Sequence, residues 1–314
     1  MKKIFFPLGF VSLLFYLCAC NNSDTGKTSE NKSQTTPELK AVFINGDSIH
    51  YIDIGKGDPV VFVHPGASDY RIWEAQMDAF SQNHRVIAYS RRHAYPNKQI
   101  WNDSADYSRT LHSKDLAEFI KSLNLEPVHL VGHSYGAAAA LFTTIDHPEL
   151  VRSLTLGEPA LSELIVNLQG SDTIFKNFGT GATAAFEAFK NNDEEKAVSK
   201  FLDAVTDDSL YFSNLPQRHR EILMANTLEL RGVLLGKRKD VNPTVTCDDL
   251  KKIKTPVLLL GGDKSPSRFS LIFNTMEPCL SNKERATLSN TNHGLEMENP
   301  VEFNKIVLGF IDKH

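Results

Sequence analysis

The chain has 314 residues, 41% of them hydrophobic, and 34 Lys and Arg against 38 Asp and Glu give a formal net charge of −4. That length and apolar content suit one large α/β domain with an insertion. The mild acidity argues against nucleic acid as a partner and against electrostatic adhesion to anionic lipid.

Met1-Lys2-Lys3 is a short basic start, followed by an apolar run over residues 4–17 that Pro7 and Gly9 interrupt. A membrane span needs ~20 apolar residues, so the run reads as a secretory signal. Its end, Leu17-Cys18-Ala19-Cys20, resembles a bacterial lipobox. Cleavage after Ala19 would remove residues 1–19 as a signal peptide and leave Cys20 as a diacylated, N-acylated first residue. The alternative is ordinary cleavage nearby, with Cys20 a free thiol. Several acyl chains anchor a protein stably where one does not, so the expected location is the cell envelope. That means the outer side of a bacterial inner membrane, or the outer membrane. Residues 20–40, rich in Asn, Ser, Thr and Lys, read as a flexible tether.

Residues 41–54 alternate in polarity around Asn45-Gly46, a hairpin signal. Buried strands are expected at 60–63, 86–89, 128–131, 154–156 and 257–260, with helical segments between them. One of these, 111–123, places Leu116, Phe119, Ile120 and Leu123 on a single face. Such alternation predicts a mostly parallel sheet covered by helices on both faces, built from 41–157 and 251–314. The interval 158–250 is too long for one crossover and reads as a helical cap, with helical stretches at 184–205 and 217–234 separated by Asp207-Asp208-Ser209. Its Phe186, Phe189, Phe201, Tyr211 and Phe212 either line a pocket or pack the cap's own core. Cys247 and Cys279 either form one bridge or stay as buried thiols; they do not make a disulfide framework.

The stretch 128–136 carries the chemistry: an apolar run ends in Gly132-His133-Ser134-Tyr135-Gly136, and four alanines follow. Strand, Gly-x-Ser-x-Gly turn and helix is the order of a nucleophile elbow. A Cβ at Gly132 or Gly136 would collide with the neighbouring strand or helix. Ser134 would then stand at a helix N-terminus, where N–H groups favour developing negative charge.

A serine nucleophile needs a base, an acid behind the base, and an oxyanion hole. His293, in the polar loop Ser289-Asn290-Thr291-Asn292-His293-Gly294, has the expected late position for the base. Asp263, after the buried run that ends in Gly261-Gly262, is the favoured acid. Glu158, in Gly157-Glu158-Pro159, is its rival. The Tyr135 amide supplies one oxyanion donor. Pro65 has no N–H, which leaves Gly66 in His64-Pro65-Gly66 as the second.

On these landmarks, together with Trp73, the chain resembles a serine-nucleophile, esterase-like member of the α/β-hydrolase superfamily from residue 41 to the end. Two departures stand out: Pro65 where the family usually has glycine, and Ser90-Arg91-Arg92-His93-Ala94-Tyr95-Pro96 in place of an Asp-x-Arg-Gly-x-Gly-x-Ser loop. Arg91, Arg92, His93 and Tyr95 either line the mouth of the site or form a solvated basic turn. The resemblance implies cleavage of a small ester or related acyl compound through an acyl-enzyme, as in a carboxylesterase. The sequence shows neither metal-ligand spacing nor a Gly-rich phosphate fingerprint, so no cofactor is expected. Two alternatives stay open. One is a prolyl-aminopeptidase-like peptidase, which would want acidic cap residues such as Asp193, Glu194 or Glu195 to bind an amine. The other is a ligand-binding or sensor protein with little turnover.

Overall fold

The computed structural model describes Met1 and residues 37–98, 100–236 and 244–314. Apart from Met1, the expected leader 1–19, Cys20 and the tether as far as residue 36 lie outside the described residues. The first strand, β1 (Lys40–Ile44), opens the domain, and Asn45 and Gly46, both at positive φ, turn it into β2 (Asp47–Gly55). That backbone is the one an Asn-Gly hairpin requires.

Strand and helix then alternate. β3 (Pro59–Val63) is followed by α1 (Glu74–Phe80), and β4 (Arg85–Tyr89) by α2 (Arg109–Ser122). β5 (Val128–His133) leads into α3 (Tyr135–Asp146), and β6 (Val151–Gly157) completes this half. An inserted group of helices comes next: α4 (Ser171–Lys190), α5 (Glu194–Thr206), α6 (Tyr211–Asn214), α7 (Gln217–Met224) and α8 (Thr227–Leu235). The chain returns through α9 (Cys247–Lys252), β7 (Val257–Gly262), α10 (Ser267–Met276) and β8 (Lys283–Leu288). It ends in α11 (Leu295–Glu298) and α12 (Pro300–Ile311).

The eight strands form one sheet in the order β1-β2-β4-β3-β5-β6-β7-β8. From β4 to β8 every neighbouring pair is parallel, whereas β2 runs antiparallel to both its neighbours, β1 and β4. This is the expected α/β architecture. Alternate residues of the central strands serve different cores, as a period of two dictates. Val61, Val63, Leu130, Leu156, Val257 and Leu259 pack under α2, α3 and α10. Val60, Phe62, Val131, Leu258 and Leu260 pack under α1 and α12 with Trp73 and Phe303. Both faces are therefore covered, and the strands read as continuous apolar runs.

The inserted helices have a smaller core of their own, built on Phe189, Ala197, Val198, Phe212, Leu223 and Leu230. Its limits are tighter than the expected 158–250. Glu158 directly continues β6, and Val245, Leu250 and Ile253 belong to the main core. The first expected helical stretch, 184–205, is also two helices, because Asn191 and Asn192 end α4 and the Asp193 side chain caps α5. Cys247 and Cys279 are joined as a disulfide that pins α9 to the turn following α10. Among the described residues, no helix is long and apolar enough to cross a membrane.

Candidate active site

The parallel strands β3, β5, β6 and β7 deliver their carboxyl ends to one edge of the sheet, where α/β proteins gather ligands. Ser134 stands between β5 and α3 at φ +51°, ψ −114°. A β-carbon at Gly136 would lie 2.3 Å from the Val63 carbonyl oxygen, and one at Gly132 would lie 2.7 Å from the Ala137 Cα. Glycine at both positions is what lets the turn press against β3 and α3.

His293 closes on the serine, its Nε2 3.1 Å from Ser134 Oγ. Its Nδ1 is 2.6 Å from Glu158 Oε2, and the other carboxylate oxygen of Glu158 accepts the Gly262 N–H at 2.9 Å. The sequence favours Asp263 as the acid, and the structure corrects that choice. Asp263 is exposed, and its carboxylate accepts the Thr291 N–H at 3.1 Å on the outer side of the loop that carries His293. The backbone N–H groups of Asn290 and Thr291 hold it ionised, below the usual carboxylate range.

The reason lies at Gly262, where a β-carbon would fall 2.1 Å from the Thr291 carbonyl oxygen. The loop lies directly on that glycine, so the next side chain emerges beyond it. Glu158 approaches from the neighbouring strand β6, buried to 1% exposure and at φ +40°. The available signal is a carboxylate directly after the strand segment Leu154-Thr155-Leu156-Gly157, one methylene longer than Asp.

His133, next to Ser134 in the chain, lines the same cavity as Ser134 and His293. It is buried and pairs with Glu296 of α11 at 3.0 Å, and its ring centroid lies 4.8 Å from that of His293. Burial opposes its protonation, but the Glu296 carboxylate outweighs that and raises its pKa. Phe269 stacks on the His293 ring with centroids 4.2 Å apart. Burial pushes His293 down to about 4; the Glu158 bond resists this, and the His133 and Arg268 charges reinforce it.

Gly66 and Tyr135, the expected oxyanion donors, line the same cavity as Ser134 and His293. Its volume is about 150 Å³, and most of its wall is apolar, including Phe178, Phe201, Leu230 and Ile272. By that measure it accepts a group of roughly benzene size. Of the five aromatics weighed from the sequence, Phe201 and Tyr211 line it, whereas Phe189 and Phe212 pack the insertion's core. Arg268 is a buried cation in the wall. It donates to the Val205 carbonyl at the end of α5, and its Nη1 lies 3.6 Å from Asp207.

Neither reading of the loop after β4 holds. Arg91 is 1% exposed and paired with Glu229. Arg92 is bound by Asp115 and Asp47, and His93 lies 2.8 Å from the Asp106 carbonyl. None of Arg91, Arg92, His93 and Tyr95 lines the cavity. Among the described residues, no group of three or more His, Cys, Asp and Glu is arranged to hold a metal ion.

A sequence profile of the alpha/beta hydrolase fold matches residues 58–266. The chain belongs to the α/β-hydrolase fold family. It is 31% identical over 139 residues to a 2-hydroxymuconate semialdehyde hydrolase of Pseudomonas sp. (strain CF600), a match covering 40% of this chain and 45% of that protein. It is 27% identical over 117 residues to an (E)-2-((N-methylformamido)methylene)succinate hydrolase of Acinetobacter baylyi, covering 36% and 41%. The chain thus spans less than half the length of both relatives. The fold matches a carboxylesterase from Bacillus subtilis with a TM-score of 0.70 and 21% identity, over 90% of this chain and 93% of that one.

Two outcomes follow for this α/β-hydrolase site. Glu158→Gln should lower kcat by about 10³–10⁴-fold, the scale seen when a triad acid loses its charge. Asp263→Asn should stay within about tenfold of wild type, because it touches only loop backbone. Measuring kcat for both on one activated ester decides between the carboxylates, and a crippled Asp263→Asn beside a normal Glu158→Gln reverses the assignment. The second outcome concerns pH. A base must be neutral to accept the serine proton, so kcat/KM should fall on the acid side near His293's value of about 4 instead of the ordinary 6.5. A pH profile with an acid limb at the ordinary value, on protein shown by circular dichroism to be folded, contradicts the burial argument.

Proposed function

We propose that this α/β-hydrolase is a serine hydrolase that cleaves small esters or related acyl compounds through an acyl-enzyme intermediate. The observation that carries this reading is the continuous chain Ser134 Oγ, His293 Nε2, His293 Nδ1, Glu158 Oε2, with steps of 3.1 and 2.6 Å, at the wall of an apolar cavity. Ser134 Oγ bonds to the acyl carbon as its proton passes to His293 Nε2. Glu158 stabilises the imidazolium so formed. The Gly66 and Tyr135 amides receive the charge that develops on the carbonyl oxygen. When the carbon–leaving-group bond breaks, His293 returns its proton to the departing group. Water then attacks the acyl-enzyme by the same route and releases the acid and Ser134.

The inserted helices act as a cap, and their Phe178, Phe201 and Leu230 set a small, apolar acyl preference. The peptidase reading finds less support. Among the cavity's described residues the carboxylate present is Glu229, already bound to Arg91, and the wall cation Arg268 would repel an amine. Asp193 caps α5 at its start, and Glu194 accepts from Thr227. The hydrolase names of the relatives favour turnover over ligand binding alone. For location, Leu17-Cys18-Ala19-Cys20 supports lipidation at Cys20, and the Cys247–Cys279 bridge suits an oxidising envelope.

Wild-type protein should be labelled by a fluorophosphonate probe and hydrolyse short-chain activated esters. Ser134→Ala should lose the label and several orders of magnitude in kcat with little change in Tm, since alanine fits the elbow as well as serine. Esterase activity surviving in purified Ser134→Ala rules out the assigned nucleophile. Expressed from its full-length gene in a bacterium, the protein should partition into the detergent phase, and Cys20→Ser should abolish that. Mass spectrometry finding an unmodified Cys20 in mature soluble protein removes the lipid anchor.

A further inference from the structure

The loop after β4 sends Arg91 into the interior, where its guanidinium makes a two-toothed pair with Glu229 of α8: Nη1 to Oε1 at 2.5 Å and Nη2 to Oε2 at 2.8 Å. Both side chains are essentially buried, at 0% and 1% exposure. Nη2 also donates to the Pro65 carbonyl at 2.8 Å, and Nε to the His64 carbonyl at 3.2 Å. The Arg91 backbone N–H donates to His64 Nε2 at 2.9 Å. That bond makes Nε2 the acceptor of a neutral imidazole and places the ring proton on Nδ1. His64 Nδ1 then donates to the same Pro65 carbonyl at 2.8 Å. Burial and the Arg91 charge hold His64 well below its ordinary pKa, so the ring keeps this neutral form.

The Pro65 carbonyl belongs to the peptide whose N–H is that of Gly66. In a planar trans peptide the C=O and N–H point in opposite directions. Two donors gripping the Pro65 oxygen therefore fix where the Gly66 N–H aims. Of those donors, Arg91 is held in place by a residue of the inserted helices. A second tie acts on the same loop: Asn226, at the start of α8, donates to Asp69 at 2.6 Å and accepts the Tyr95 N–H at 2.7 Å.

We infer that Arg91 and Glu229 are positioning residues for the oxyanion hole, a strap by which helix α8 of the insertion sets the Pro65–Gly66 peptide. This inference rests on the acyl-enzyme reading above. Neither residue touches the substrate carbonyl; each acts through the direction of one backbone N–H. The strap also gives a physical use to proline at position 65. Its carbonyl remains available to the grip while its missing N–H removes a competing donor.

The test reads the transition state separately from the ground state. Glu229→Gln keeps size but removes the charge that holds Arg91, and it should lower kcat and kcat/KM together by about 10²-fold, the lower range for losing one oxyanion donor. KM should stay within about threefold. Affinity for a trifluoromethyl ketone, which forms a tetrahedral adduct on Ser134, should fall by the same factor as kcat/KM. Affinity for a non-covalent alcohol product analogue should not.

Because a single change leaves a buried unpaired charge, the double variant Arg91→Met/Glu229→Leu accompanies it. Replacing both members of a buried pair with apolar groups is often tolerated, and the same kinetic defect should appear at near-normal Tm. A double variant with wild-type kcat and ketone affinity overturns the strap while leaving the serine reaction standing. So does an equal loss of ketone and alcohol affinity. Wild-type protein that neither labels at Ser134 nor turns over overturns the reaction itself.

Discussion

The structure depends on how closely β5 and α3 pack against β3 at the elbow. Ser134 sits at φ +51°, a backbone state that costs of order 1–3 kcal/mol and persists only where its surroundings over-determine it. Here they do. Ser134 donates its N–H to the Gly157 carbonyl of β6, and its own carbonyl accepts from Ala138 and Ala160. Gly136 lies against the Val63 and His64 carbonyls. The serine is thus fixed against the segment of β3 that leads to Gly66 and against the strand that ends in Glu158. The distances on which a triad and an oxyanion hole depend are set by backbone packing before any side chain is placed.

Around that elbow, three buried carboxylates each bind a basic side chain from a segment far away in sequence. Glu158 and His293 join the end of β6 to the loop before α11. His133 and Glu296 join the residue before Ser134 to α11 itself, so the segments that carry Ser134 and His293 are tied by a second contact. Arg91 and Glu229 join the loop after β4 to the insertion. Buried pairs of this kind add little net stability, because desolvation offsets their attraction. Their effect is directional, since a misaligned partner would leave a charge unpaired in a low-dielectric interior. The same buried setting keeps His293 neutral, and the positive charges of His133 and Arg268 act in that direction too.

Much of this could be read from the chain. The central strands are legible because burial on both faces demands unbroken apolar runs. Ser134 is legible because strand, glycine turn and helix must follow in that order. β8 was not, since Lys283-Glu284-Arg285-Ala286-Thr287-Leu288 is an exposed edge strand whose pairing with β7 needs no apolar pattern. Arg91 and Arg92 read as lining the site mouth or as a solvated turn because their partners Glu229, Asp47 and Asp115 are remote in sequence. Long-range pairing of charges leaves no local periodicity to detect. The bridge between Cys247 and Cys279 is of the same kind, its ends separated by 32 positions in sequence.

The placement of Glu158 shows how one local fact redirects the rest of the site. With Gly262 covered by the Thr291 backbone, the end of β7 cannot send a side chain to His293, yet it still takes part. Its Gly262 N–H holds one oxygen of Glu158, leaving the other for His293 Nδ1. Asp263 and the Lys264 N–H then secure the loop from its far side by binding the Thr291 N–H and carbonyl. Two adjacent strands therefore divide the work that one residue was expected to do: β6 supplies the charge, and β7 supplies the backbone that orients both the charge and the histidine loop. A carboxylate held at both oxygens has one orientation available. That restriction, more than which strand it comes from, allows it to fix the tautomer of a buried, neutral histidine.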